Sequence, residues 1–196
     1  IPSEIVLTIP KDKKYITKPE LFFIDLLSNY EWDRPISLLS AGGDINIGIK
    51  DYLMYDGHSY RFVPIKNNTN LRHNDFTDQY DLYSKVTSVY RYDALKSTDW
   101  FVDYHNLFTF CGVQNHRKIF TDTAIEMLAA GDTAAAVGLL DMCREYLPEE
   151  NFPLDLSLYG FSNELYVAYM IEAYFEAGAS DKGADLAERF SSGLLD

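Results

Sequence analysis

Two helical patterns meet at Gly131-Asp132, and that junction constrains the fold more than any other feature of the chain. The run from Phe120 to Pro148 reads FTDTAIEMLAAGDTAAAVGLLDMCREYLP. Apolar residues recur at helical spacing on both sides of the Gly-Asp pair. A chain written this way folds back on itself as a helical hairpin. Such hairpins usually bind other chains and rarely do chemistry.

Small residues fall where the two helices must touch. Phe120, Ala124, Met127, Ala136, Leu140, Cys143 and Pro148 occupy the large, small, large, small, large, small and proline positions of a tetratricopeptide repeat, a frame of about 34 residues. A looser second copy follows, in which Gly178 stands in the place of Gly131. Val167, Tyr174, Gly183, Ala187 and Phe190 then take repeat positions, and Ile171 falls where a small residue is usual. Everything from Asp103 on reads as helix. Repeat arrays need neighbours for stability, so the helix from about residue 103 and the N-terminal half are expected to cap the first hairpin. The side of the repeat helices facing a groove would present Lys118, Thr121, Asp122 and Ile125 from one hairpin, and Leu165, Tyr169, Glu172 and Glu176 from the other. Apolar side chains among acids suit a peptide or a partner loop with a basic edge. The alternative is that a neighbouring helix or the C-terminus covers them.

The first third has a different grammar. Ile5–Ile9 is a β-branched run stopped by Pro10, which reads as a strand. Thr17-Lys18-Pro19-Glu20 matches a capping box with proline in the first turn, opening a helix to about Tyr30. Ile36–Ser40 reads as a second strand, so strand, helix and strand suggest a βαβ unit. Asp44 is a candidate cap for a helix near 46–55. Asp56-Gly57 signals a turn, and His58–Ile65 reads as a third strand that Pro64 ends. The polar run 66–74 is the best internal boundary, and 77–96 is helix-like. The expected class is α+β: a small βαβ-containing α/β part over 1–74, then an all-α tetratricopeptide-like hairpin array over 75–196.

Charge narrows the partners. The net charge is −13, of which residues 1–100 carry −2 and residues 101–196 carry −11. Acidic helices repel nucleic-acid phosphates and an anionic membrane surface, so no nucleic acid is expected as a partner. No segment approaches the ~20 apolar residues of a membrane span, so no direct membrane insertion is expected. The chain opens on Ile1-Pro2 without Met, as a fragment or processed product would. Cys111 and Cys143 are too few for a disulfide framework or a zinc site. Folded back at Gly131, they stand ~13 Å apart along the helix axis, so free thiols are expected.

No catalytic constellation emerges. Ser40-Ala41-Gly42-Gly43 after a strand could cradle a phosphate, but Asp44 would oppose the anion and the spacing fits no phosphate loop. His58, His73, His105 and His116 lack ligand spacing, and Asp103 and His105, two apart, would point to different faces of a helix. No nucleophile motif is present. No cofactor, metal or catalytic residue is assigned.

Two blocks carry a resemblance. Residues 9–39, IPKDKKYITKPELFFIDLLSNYEWDRPISLL, and 52–66, YLMYDGHSYRFVPIK, resemble the soluble tail of the protein O-mannosyltransferase-like multi-pass membrane proteins of Bacteroidetes, with Trp32-Asp33-Arg34-Pro35-Ile36 and Arg61-Phe62-Val63-Pro64-Ile65 the most specific segments. Ser37-Leu38 stand where that pattern has aromatics. The resemblance implies an extracytoplasmic, periplasmic tail ending in tetratricopeptide-like hairpins, behind a membrane part whose catalytic carboxylate lies outside this sequence. It implies a glycosyltransferase-like parent, while the repeat frame and the absence of a catalytic constellation point to this chain as a non-catalytic module that positions a protein or peptide partner, a glycosylation acceptor included. The rivals are an independent enzyme or binding protein for a sugar or phosphorylated small molecule near Gly42-Gly43, and a purely structural cap. Asp122-Thr123-Ala124 and Asp132-Thr133-Ala134 match the short acceptor pattern of Bacteroidetes O-glycosylation, and their helical setting marks them as coincidence.

Overall fold

The computed structural model describes residues 4–40, 45–67, 77–99, 103, 113–155, 157–158 and 161–193. The chain divides into two compact units, Ile1–Asp78 and Gln79–Asp196. The class is α+β, with a small sheet in the first unit and helical hairpins in the second.

In the first unit, α1 spans Lys18–Ser28. Pro19 sits in its first turn, where a missing N–H leaves nothing unsatisfied. Glu20 reaches back as the capping box requires and accepts the Thr17 N–H at 2.8 Å. It then does more than cap. Its carboxylate is fully buried, takes Lys13 Nζ at 2.7 Å and accepts the Asn46 N–H at 2.8 Å. Three separate segments therefore meet on one carboxylate. Lys13 first, then the Thr17 and Asn46 amides, hold its pKa at about 2 instead of 4.5 against the opposing effect of burial.

The sign of the resulting pH dependence follows. A carboxylate with a depressed pKa binds fewer protons folded than unfolded, so its contribution is full above 4.5 and is lost as pH falls toward about 2. Denaturant midpoints for the wild type and Glu20→Gln, taken through that window, should show a gap that narrows with acid. A constant gap would mean that the charge on Glu20 contributes nothing.

The sheet is antiparallel. β1 (Ile36–Leu38) and β2 (Leu53–Tyr55) flank β3 (Tyr60–Phe62), with Ile36 and Leu53 both opposite Phe62. The tight β2–β3 turn is made by Gly57 at φ 77° and closed by the Asp56 N–H donating to Ser59 O at 2.9 Å. Phe62 sits at the centre of the core, its ring against Phe23 at 5.5 Å, Tyr52 at 5.8 Å and Trp32 at 6.3 Å. Ile47, Ile49 and Leu53 complete the buried set.

Three expectations for this unit are corrected. Ile5–Ile9 forms no strand, so the βαβ unit is absent from the described sheet. The Tyr52 hydroxyl accepts the Val6 N–H at 3.2 Å and donates to the Val6 carbonyl at 3.1 Å, taking both groups a ladder would have used. The expected helix near 46–55 is only a 3-10 turn, Ile49–Tyr52, leading straight into β2. Gly48 sets this up with φ 80°. A Cβ there would lie 2.5 Å from the Thr8 nitrogen, so the two backbones cross where only glycine fits. The third strand is shorter than the His58–Ile65 run. Asp44 and Gly42-Gly43 lie outside the described residues.

The second unit begins with α2, Gln79–Ser84, which widens into a π turn over Lys85–Val89 before a 3-10 turn at Asp93–Lys96. α3 (Val113–Ala129) and α4 (Thr133–Tyr146) form the first hairpin; α5 (Asn163–Glu176) and α6 (Ser180–Gly193) form the second. Between the hairpins stands a two-stranded ribbon, β4 (Ser157–Leu158) with β5 (Phe161–Ser162), which corrects the reading of uninterrupted helix from Asp103 on. α3 packs against α4, α5 and α2, and α5 also against α6.

Both hairpins turn the same way. The Gly131 N–H donates to Leu128 O and the Asp132 N–H to Met127 O, each at 2.9 Å. Gly178 and Ala179 repeat the pattern onto Phe175 and Tyr174 at 3.0 and 2.9 Å. Both glycines are left-handed, at φ 84° and 77°, as this helix-ending motif demands. Asp132 then caps α4, its carboxylate accepting the Ala135 N–H at 3.0 Å, an interaction worth about 1 kcal/mol. In the first hairpin Phe120, Ala124, Met127, Ala136, Leu140 and Cys143 are all buried. In the second, Val167, Tyr174 and Gly183 are buried, while Ile171, Ala187 and Phe190 are half-buried. Cys143 is a free thiol, as expected, and burial pushes its pKa up to about 12. Cys111 lies outside the described residues.

Candidate functional site

The groove-facing residues divide unevenly. Lys118, Asp122 and Ile125 are half-buried on α3. Lys118 and Asp122 form an ion pair one helical turn apart. Thr121 is fully buried, and its hydroxyl donates to the Arg117 carbonyl at 2.7 Å, so it packs inward and offers a partner nothing. On α5, Leu165 is exposed, Glu172 and Glu176 are exposed, and Tyr169 is half-buried with its ring 6.2 Å from Tyr166. The spacing of Leu165, Tyr169, Glu172 and Glu176 puts them on one strip of α5. Packing of α3 against α5 brings the two strips to adjacent helices.

The described cavity in this unit lies elsewhere. It holds about 200 Å³ and is lined by Arg117, Arg144 and Arg189 over a floor that includes Cys143, Met170 and Leu186. Each arginine already serves the fold. Arg117 is buried and donates to the carbonyls of Phe152 and Pro153, the latter at 2.9 Å. Burial lowers its pKa to about 10. Arg144 holds Asp185 at 2.6 Å, and Arg189 holds Glu149 at 2.8 Å. Sequence reasoning missed Arg117. The signal was its place one turn before Phe120 and Thr121, on the face that the repeat frame buries.

The histidines stay apart. His58 is exposed, and partial desolvation lowers its pKa. His116 packs edge-on to Tyr92 at 5.8 Å. His73 and His105 lie outside the described residues. No cluster of potential metal ligands occurs among the described residues. Thr123 is fully buried with its hydroxyl donating to Ile119 O at 2.6 Å, which removes it as an acceptor in the folded chain. Thr133 is exposed at the start of α4.

Residues 1–81 match the family model of TMEM260-associated domain 2. The match covers the first unit and the first residues of α2. It agrees with the resemblance at the level of a domain from a TMEM260-like, O-mannosyltransferase-like membrane protein. The helical hairpins lie beyond it. No curated protein and no solved structure matches the chain. Among the described residues no helix is long and apolar enough to cross a membrane.

Proposed function

We propose that the chain is a non-catalytic, extracytoplasmic module of a TMEM260-like, O-mannosyltransferase-like membrane protein, and that its tetratricopeptide-like hairpins dock a protein partner or glycosylation acceptor. The observation that carries this reading is the face made by α3 and α5. Ile125, Leu165 and Tyr169 stand there among Asp122, Glu172 and Glu176, unburied or half-buried on helices packed side by side. The family match over residues 1–81 supports the membrane-protein setting. A partner for this face carries an apolar anchor and a basic edge.

The test is a peptide array of basic and apolar composition, probed with the full chain. Binding should fall about ten-fold in Leu165→Ala/Tyr169→Ala and weaken in salt. An array with no binder, or binding that the double variant leaves untouched, defeats the proposal.

A further inference from the structure

The first unit exposes a second surface of opposite character. Tyr15 is 74% exposed, Phe22 68%, Leu21 61% and Ile16 45%. Tyr15 and Ile16 immediately precede the α1 cap, and Leu21 and Phe22 lie on its first two turns, so all four belong to one end of one helix. Isolated exposed apolar side chains are ordinary, but contiguous ones mark a contact surface. Lys11, Lys14 and Lys18 are exposed in the same segment. Lys18, Leu21 and Phe22 share a face of α1 by their spacing, while Glu20 and Phe23 are turned to the core. Lys13 and Glu20 pair with each other inside, so neither alters the outward charge. Asp12 is the acid exposed among these cations, and Asp25 follows one turn beyond Phe22.

We propose that this end of the first unit rests on an anionic lipid surface, with Tyr15, Ile16, Leu21 and Phe22 entering the headgroup layer and Lys11, Lys14 and Lys18 on its phosphates. The composition favours lipid over protein. Protein interfaces are enriched in arginine and depleted in lysine, and every cation here is lysine. Lysine stems lie along apolar surface while their ammonium groups reach phosphate, and aromatic rings favour the headgroup depth. The chain's net charge of −13 opposes approach to such a membrane. That charge is concentrated in residues 101–196, while residues 1–100 carry only −2.

The test is co-sedimentation of the full chain with vesicles of phosphatidylcholine alone and with added phosphatidylglycerol. Binding should appear only with the anionic lipid. Leu21→Ser/Phe22→Ser should weaken it about ten-fold, and each of Lys11→Gln, Lys14→Gln and Lys18→Gln about five-fold. All of these positions are exposed, so near-UV circular dichroism should stay unchanged and confirm that the variants fold. The proposal is overturned if anionic vesicles do not sediment the chain, or if either set of variants sediments like the wild type. It is equally overturned if the apolar variants abolish a dimer in sedimentation velocity with no vesicle binding, since the surface then meets a second copy.

Discussion

Phe62→Ala should destabilise the first unit by about 3–5 kcal/mol, the range for removing a large aromatic from a packed core. Phe62 is 3% exposed and sits on the central strand, opposite Ile36 on one side and Leu53 on the other. Its ring also meets Phe23 from α1, Trp32 from the following turn and Tyr52 from the 3-10 turn. Deleting it removes a side chain that packs against α1 and the 3-10 turn and stands opposite both flanking strands. A unit this small has little stability to spare, since domains hold only about 5–15 kcal/mol in total. Hydrogen exchange read by mass spectrometry should show α1 and β1–β3 losing protection while α3–α6 keep theirs. Unchanged protection in α1 would show that Phe62 is not the keystone.

Ala124→Leu should cost about 3 kcal/mol in the second unit, by overpacking. Ala124 on α3 and Ala136 on α4 have no exposed surface, and Leu139 and Leu140 beside them have none either. Three added heavy atoms must be fitted among side chains that already have no exposed surface, so the hairpin is expected to open or shift. Ala134→Leu is the control. Ala134 is exposed on the same helix as Ala136, and leucine is nearly as good a helix former as alanine. Denaturant midpoints should fall sharply for the first variant and hardly move for the second. Equal midpoints would mean that the hairpin is not held by close approach of small residues.

The hairpins were legible because their signals are local. Gly131 and Gly178 end helices through hydrogen bonds within six residues, Asp132 caps the next helix three residues on, and the small positions follow helical spacing. The sheet was less so. Its strands are three residues long, too short for alternation to declare them, and their pairing joins residues 36 and 62, far apart in sequence. Ile5–Ile9 has the composition of a strand, yet the Tyr52 hydroxyl, 46 residues away, takes the backbone groups of Val6. Nothing in a five-residue window announces that.

The proposed partner face shows the same division. The repeat frame placed Leu165, Tyr169, Glu172 and Glu176 on one strip of α5. It could not tell that Thr121 turns inward to the Arg117 carbonyl, because threonine satisfies itself equally well at a surface or beneath one. From sequence Glu20 reads as a cap and nothing more. Its bonds to Lys13 and Asn46 depend on a chain path that its neighbours in sequence do not reveal.

The crossing of residues 8 and 48 has a consequence for descent. Because the Thr8 backbone fills the volume where a β-carbon would go, substitution at position 48 is closed to every other amino acid while that crossing persists. Distant kin that retain this architecture must carry glycine there however far the rest has drifted. That invariant gives searches for them a fixed anchor.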